Sequence, residues 1–422
     1  MALWVQKFGG SSLTNLTKVE AIARRIKNDT GKGHQIVVVL SALQGETDRL
    51  IGLANLVSPE PPKREYDALL ATGEQASACL MVMALQRIGV KARSLNAWQA
   101  RITTDQHHKR ASITSIDKPK ILSIVRANTV PVITGFQGVG QENSITTLGR
   151  GGSDTTALAV AACLRADECQ IFVDVGGVYT TDPKIEPNAK LLPSLSIEQL
   201  LAHACSGAKV MQKRSVALAS RYRVPMRICP TFTDGVGTVI EYQNTNALEK
   251  TEVRAIAFAK NQVMLQICVT ATQFQDLQAL LKCIEKSGLE MEHSIRQNMQ
   301  NHTHPGDYEL SCLLNNEDFC CFKQALDTWL TEKSPLDYRV IREVAKVSLL
   351  GYCMTRNMDI THKIIEIGKN FQIDFHTLQG SDQQITMVIA QKHLEILVRK
   401  MHQQFKLDRI LVQKDARCDA TT

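Results

Sequence analysis

Along the first half of the chain, short apolar runs alternate with amphipathic stretches. Residues 3–8 form an apolar run that ends in the turn Gly9-Gly10-Ser11-Ser12. Thr17-Lys18-Val19-Glu20 reads as a capping box, and Ile22, Ala23 and Ile26 then recur at helical spacing. Residues 36–40 are a β-branched run of buried-strand type and residues 76–85 a largely apolar helix, while 130–134 and 171–175 are again short buried strands. This alternation predicts an α/β sandwich with a mainly parallel sheet. Ligands in such folds collect at the carboxyl ends of the strands, which is where the Gly-, Ser- and Thr-rich segments fall.

From residue 243 the chain turns polar (QNTNALEKTE), and the pattern beyond it repeats. A strand over 263–269, a helix face of Leu277, Leu280, Leu281 and Ile284, strands over 289–296 and 308–314 and a helix over 319–330 make one unit. The order recurs with a strand over 345–350, a helix over 360–367, strands over 373–378 and 385–390, a helix over 393–405 and a last strand over 410–412. Two βαββαβ units in tandem predict two ferredoxin-like modules. The expected division is a first domain over 1–242, a linker over 243–262 and modules over 263–337 and 338–422.

Composition narrows the class. With 44% hydrophobic and 22% charged residues in 422, this is the balance of an ordinary globular protein. No apolar run approaches the roughly 18 to 20 residues that cross a bilayer, and MALWVQKFGG lacks the pattern of a secretory signal. A cytoplasmic protein is expected, with no membrane partner. The twelve cysteines include no C-x-x-C, so buried free thiols are expected. The net charge of +7 is spread among acids rather than clustered, which argues against nucleic acid and is compatible with anionic substrates.

The Walker A pattern and the protein-kinase catalytic set are both absent. Lys7-Phe8-Gly9-Gly10-Ser11-Ser12 links the first strand to the first helix, where glycines let backbone N–H groups approach phosphate oxygens. Taken alone, so short a stretch reads as a glycine turn with a solvated lysine. Leu148-Gly149-Arg150-Gly151-Gly152-Ser153-Asp154-Thr155-Thr156 opens a helix and forms an anion site. Arg150 there offers a fork suited to a carboxylate. Asp154 reads equally as a helix cap or as a group that orients substrate, magnesium or both. In Asp174-Val175-Gly176-Gly177-Val178-Tyr179-Thr180-Thr181-Asp182-Pro183-Lys184, Tyr179 could stack on a purine and Lys184 meet its phosphates, or the stretch is a surface hairpin. Lys209 sits at helix spacing and also fits an ordinary exposed lysine. His107-His108 and the His302/His304 pair read as polar loops, since no third ligand is spaced to complete a metal site.

Together these motifs resemble the aspartokinase family, within the amino-acid kinase fold. The resemblance is carried by KFGGSS at 7–12, VVVLSALQGETDRL at 37–50, LLATGEQAS at 69–77, PVITGFQGV at 131–139, ITTLGRGGSDTTA at 145–157, FVDVGGVYTTDPK at 172–184 and SGAKVMQKRSV at 206–216. It implies a three-layer α/β/α sandwich with two C-terminal ACT domains, and ATP-dependent phosphorylation of the L-aspartate side chain with Mg2+. By resemblance Lys7 neutralises the phosphoryl group in flight, with Gly9, Gly10 and Ser11 under the phosphates and Asp154 organising the reacting groups. Arg150 holds the α-carboxylate and Glu74 the α-ammonium, while Ser41, Thr47, Phe136 and Ser153 line the same pocket. Val173, Asp174, Tyr179, Lys184 and Lys209 form the nucleotide side. The chain departs from the family at Val173, usually Thr, at Gly176, often Asp or Pro, and at Lys184, usually Arg. The resemblance also implies a homodimer or larger homo-oligomer through the ACT domains and an amino-acid effector site between them. There the usual Pro-Gly loop is replaced by Thr270-Ala271-Thr272-Gln273-Phe274-Gln275-Asp276, and the usual Ser-His-x-Gly-Val by Thr355-Arg356-Asn357-Met358-Asp359-Ile360.

Overall fold

The computed structural model describes residues 1–207, 210–242, 252–269, 278–279, 281–282, 291–297, 308–316, 318–319, 322–323, 326–327 and 337–409. These fall into two compact units, Met1–Thr180 with Ala189–Glu249 and Thr181–Asn188 with Lys250–Asp408.

The strands of the first unit are β1 (Leu3–Phe8), β2 (Gln35–Leu40), β3 (Ala92–Leu95), β4 (Ile102–Thr104), β5 (Ile113–Ile116), β6 (Val130–Thr134), β7 (Gln137–Val139), β8 (Ile145–Thr147), β9 (Glu168–Val173), β10 (Ser194–Ser196), β11 (Met226–Pro230) and β12 (Thr238–Glu241). Eight form one sheet in the order β10-β12-β11-β9-β1-β2-β6-β3, and a second holds β5-β4-β7-β8. In the large sheet only β11 and β12 pair antiparallel. The helices are α1 (Leu16–Gly31), α2 (Glu46–Val57), α3 (Lys63–Arg87), α4 (Ala97–Ala100), α5 (Lys118–Arg126), α6 (Gly152–Leu164), α7 (Ile197–Cys205) and α8 (Lys213–Tyr222). The mainly parallel α/β architecture is as expected.

Local chemistry explains two differences from expectation. The cap of α1 is Asn15, whose side chain accepts from Lys18 N at 2.9 Å, so the helix starts before the expected box at Thr17. Expected over 76–85, α3 is 25 residues long, and by length and composition alone it could cross a membrane. Yet its buried face carries Asp67 and Glu74 beside Leu70, Ala78, Met81 and Leu85. Met81 and Leu85 enter the core formed with Phe8, Ile22, Ile26, Val38, Leu40 and Val132. Burial of this apolar face is what holds the layer to the sheet.

The pairings Phe8↔Leu40, Phe8↔Phe172 and Leu40↔Thr134 bring the carboxyl ends of β9, β1, β2 and β6 side by side. Each strand is followed by one of the segments singled out above.

In the second unit, β13 (Glu252–Val269), β14 (Glu292–Gln297), β15 (Tyr308–Asn315), β16 (Asp337–Tyr352), β17 (Phe375–Gly380) and β18 (Gln384–Ala390) form one antiparallel sheet, β14-β15-β13-β16-β18-β17. With them go α9 (Met358–Asn370) and α10 (Leu394–Gln404). The tandem arrangement expected from the repeat is interleaved instead. From Gln262 on, β13 pairs with β15 and with residues 337–344 of β16; up to Ala259 it pairs with residues 346–352, of which 346–350 pair in turn with β18. Each long strand thus serves both modules. Register shifts mark the handover, where Asn261 and Glu343 both take φ 57°. The expected linker over 243–262 is therefore strand from Glu252 onward. The expected strand over 410–412 lies outside the described residues. One core cluster joins Val263, Leu265 and Ile267 to Leu310, Cys312, Leu314 and Phe322.

Candidate active site

Lys7 leaves the end of β1 and is only 8% exposed, with its Nζ 2.5 Å from Asp154 Oδ1. It is not the solvated lysine of a simple turn. Gly9 makes room for it, since a Cβ there would stand 3.1 Å from the ammonium. Gly10–Ser12 then form one 3-10 turn, whose leading N–H groups on Gly10 and Ser11 have no partner within it.

Asp154 is in the first turn of α6 but does not cap it. The N-cap is Gly151, at φ 68° and without a side-chain bond, so the carboxylate is left for Lys7. The approach to this helix is built on backbone that leaves no room for side chains. A Cβ on Gly135 would sit 2.6 Å from Ser153 Cβ, and one on Gly152 would sit 2.9 Å from the Phe136 ring. Phe136 itself takes φ 70° and is tied down by N–H donation to Thr156 Oγ1 at 3.2 Å.

Beside these lies a cleft of about 480 Å³ lined by Ser41, Thr47, Tyr66, Glu74, Lys109, Phe136, Arg150 and Ser153 among others. The Ser41 and Ser153 hydroxyls share a hydrogen bond of 2.7 Å. Glu74 Oε1 accepts from Ala42 N at 3.1 Å, whereas Oε2 is buried without a hydrogen-bond partner among the described residues. Burial pushes this carboxyl up to about 8, against the pull of the Ala42 bond. A cation entering the cleft would satisfy the stranded oxygen and restore the charged form. Arg150 is exposed at the rim.

The nucleotide-side residues are more open. Val173 closes β9 and its carbonyl accepts from Thr231 N at 2.8 Å and Thr231 Oγ1 at 2.7 Å, while Asp174 is exposed. Tyr179 bridges to Leu191, and a Cβ on Gly176 would lie 2.7 Å from its hydroxyl. Lys184 is exposed in the segment Thr181–Asn188 that groups with the second unit, and its N–H bonds Asp182 Oδ1 at 2.9 Å. Lys209 lies outside the described residues.

Two features escaped the sequence reading. Asp67 is fully buried and accepts from Thr147 N at 3.0 Å, Thr147 Oγ1 at 2.7 Å and Lys109 N at 3.0 Å, with His108 Nδ1 at 2.7 Å. His108 is therefore not a solvated loop residue, although His107 is exposed. The available signal was an acid seven residues before Glu74, two helical turns away on one face. Arg214 donates to Leu148 O at 2.8 Å and Ala111 O at 2.6 Å, bracing the loop that carries Arg150. Among the described residues no cluster of three His, Cys, Asp or Glu side chains could hold a metal. The expectation of buried thiols holds for Cys169, Cys229 and Cys312, whereas Cys79 and Cys268 are exposed.

An α/β sandwich with a buried cation–carboxylate pair and an amino-acid-sized cleft at its strand ends agrees with the family model that matches residues 2–230, the amino acid kinase family. The chain is 37% identical to the aspartate kinase of Pseudomonas putida over 97% of its own length and 98% of that protein's. It is 34% identical to the aspartokinase of Geobacillus stearothermophilus over 96% and 98%. The fold matches E. coli aspartokinase III in complex with aspartate and ADP at a TM-score of 0.78, with 21% identity, covering 95% of this chain and 99% of that one. The chain belongs to the aspartokinases of the amino acid kinase family.

Proposed function

We propose that this chain transfers the γ-phosphoryl group of ATP to the side-chain carboxylate of L-aspartate, giving 4-phospho-L-aspartate. This is the first step toward lysine, threonine, methionine and diaminopimelate. The single observation that carries the reading, beside the family, is the buried Lys7–Asp154 pair at the strand ends where the cleft holding the stranded oxygen of Glu74 also opens.

The acceptor is already a carboxylate at neutral pH, so no general base is needed. What remains is positioning and charge. Glu74 receives the α-ammonium, Arg150 the α-carboxylate, and Ser41, Thr47, Phe136 and Ser153 wall the pocket. The β-carboxylate then faces Lys7, whose ammonium follows negative charge on the phosphoryl group, with Asp154 fixing its direction. Gly9, Gly10 and Ser11 lie under the phosphates, and Val173, Asp174, Tyr179, Lys184 and Lys209 serve the nucleotide. Magnesium would accompany the ATP phosphates, neutralising their charge. The buried thiols suit a cytoplasmic protein.

The test is trapping of the acyl phosphate with hydroxylamine under Mg-ATP, with aspartate set against glutamate, acetylglutamate, carbamate and nucleotides. Hydroxamate from aspartate alone is expected. Turnover of another acceptor in its place, or of none, overturns the reading.

We read residues 1–242 as the catalytic domain and the second unit as the paired ACT modules, which the expected bounds of 263–337 and 338–422 describe only up to the strand exchange. The sheet ends on β14 and β17 among the described residues, and sheet edges favour pairing with a second copy. An at least dimeric enzyme follows, with little inhibition by lysine or threonine. Supporting the latter, Met354 is fully buried at the turn after β16, and Asp382 O accepts its N–H at 3.0 Å. Met354 thus fills the base of that turn, while Thr355, Asn357, Met358 and Asp359 beyond it are exposed. The first-module loop at 270–276 lies outside the described residues. Light scattering of a monomer at micromolar concentration, or strong inhibition by either amino acid below millimolar, would count against these two readings respectively.

A further inference from the structure

Lys109 stands in a conformation that its residue type disfavours. Its φ is 68°, in the left-handed region where a side chain costs energy and glycine does not. The surroundings hold it there. Its N–H is bound by both carboxylate oxygens of Asp67, at 3.0 and 3.2 Å, and its carbonyl oxygen would lie 2.9 Å from a Cβ on Gly149, next in sequence to Arg150. The two backbone segments abut, so Lys109 and Arg150 rise from adjoining ground. Both line the cleft that holds Glu74 and Ser153.

The ammonium is placed as deliberately as the backbone. Lys109 is half-buried, and its Nζ lies 4.2 Å from the centre of the Tyr66 ring, another wall of the cleft. No carboxylate of the described residues lies within ion-pair distance of it. A lysine serving only the turn has no reason to tolerate this backbone, since glycine would satisfy the same N–H and carbonyl contacts without strain. Strain kept at the wall of a cleft points to use of the side chain.

We propose that Lys109 is a binding residue for the amino-acid substrate, sharing the α-carboxylate with Arg150 while Tyr66 holds the lysine stem and ammonium in place. This rests on the reading of the cleft as the aspartate site. The ammonium on the Tyr66 face is attracted but not neutralised. It therefore keeps its charge for an arriving anion and adds a second cation to the one arginine.

The test measures aspartate binding by calorimetry and steady-state kinetics in parallel, with Lys109→Met, Lys109→Gly and Lys109→Arg. Losing a charge-assisted hydrogen bond should weaken aspartate by about tenfold to a hundredfold in the Met and Gly variants. Kd and KM for aspartate should move together, with kcat and the KM for ATP within about twofold, and Lys109→Arg should recover most of the loss. Lys109→Gly should at the same time raise Tm by relieving the backbone, so stability and affinity move in opposite directions. A purely structural lysine would move them together. Unchanged aspartate affinity in the Met and Gly variants, or an equal loss of ATP affinity, overturns the proposal. Wild-type protein that binds no aspartate at all would instead overturn the reading of the cleft, and this proposal with it.

Discussion

On the proposed acceptor side, Glu74, Ser41 and Ser153 are each held by a neighbouring group, and the glycines around them leave no slack. After β9, by contrast, Asp174 and Lys184 face solvent, and the Lys184 N–H bonds within its own loop to Asp182. The difference follows from what each side has to recognise. A small amino acid offers few atoms, so selection among relatives requires buried polar groups that are costly to leave unmatched. A triphosphate offers many oxygens and a high charge, which exposed cations and backbone N–H groups can follow without a fitted cavity. The Lys7–Asp154 pair is proposed to lie where the two meet, and its side chains are only 10% and 11% exposed.

Breaking the comparison at that junction should have the largest effect. Replacing Lys7 with Ala removes the cation proposed to follow the transferring phosphoryl group and leaves Asp154 buried without its Lys7 partner. Loss of such transition-state stabilisation is expected to lower kcat by about a hundredfold to a thousandfold. The KM for aspartate should change far less, because Lys7 acts where charge develops rather than where the ground state is held. Steady-state kinetics in both substrates checks this. A variant with near-normal kcat would remove Lys7 from the chemistry and leave the junction without a role.

Glu74→Gln comes next and sharpens the acceptor side alone. The amide keeps the size of the side chain but gives up its charge, so the KM for aspartate should rise by about tenfold or more with ATP little affected. A pH dependence belongs to the same group. In the folded protein without substrate, the carboxyl is pushed up to about 8 from an ordinary 4.5. Between those values the folded state holds a proton that the unfolded state has lost, so stability falls as pH rises through the window. Glu74→Gln should flatten that fall, as read from denaturation midpoints between pH 5 and about 8.5. Binding of the α-ammonium selects the carboxylate, so aspartate affinity should rise toward pH 8 and binding at pH 7 should release a proton. Calorimetry in buffers of different ionisation enthalpy counts it. Affinity that is flat with pH, with no proton released, would mean that the ammonium goes elsewhere.

The acceptor side was also the more legible in sequence, for a physical reason. Glycine at 149, 151 and 152 and the acid at 154 mark positions where the backbone must turn or approach closely, and such needs are local. Lys7 and Asp154 could be named, but their pairing could not, because it depends on β1 and α6 meeting across the sandwich. The partners of Asp67 could not be read from the sequence for a related reason. Its hydrogen bonds come from His108, Lys109 and Thr147, far along the chain, and the spacing to Glu74 says nothing of them. In the second unit the periodicity showed the strands and the repeat but not the exchange between modules. The hydrophobic alternation of β13 continues through Asn261, and only the φ of 57° there and at Glu343 sets the shift in register. Nothing in residue type announces a bulge at Glu343.

The smallest expected effect tests the open side. Gly176 is one of the positions where the resemblance implies a larger residue, and the space is taken by the Tyr179 hydroxyl, 2.7 Å from where a Cβ would be. Gly176→Ala therefore forces the tyrosine to move, without touching Glu74, Arg150 or Lys7. Tyrosine is a mobile partner compared with backbone, since its ring swings about two torsions, and an exposed loop yields readily. A rise of about two- to fivefold in the KM for ATP is expected, in line with a partial loss of aromatic contact worth about 0.5–1 kcal/mol. The KM for aspartate should stay constant. Gly176→Ala combined with Tyr179→Phe relieves the clash at the hydroxyl, and ATP affinity should return toward that of Tyr179→Phe alone. Non-additivity of that sign identifies the hydroxyl contact as the cause. If instead Gly176→Ala disturbs aspartate as much as ATP, the loop after β9 is tied to the acceptor cleft, and the contrast between a fitted side and an open one fails.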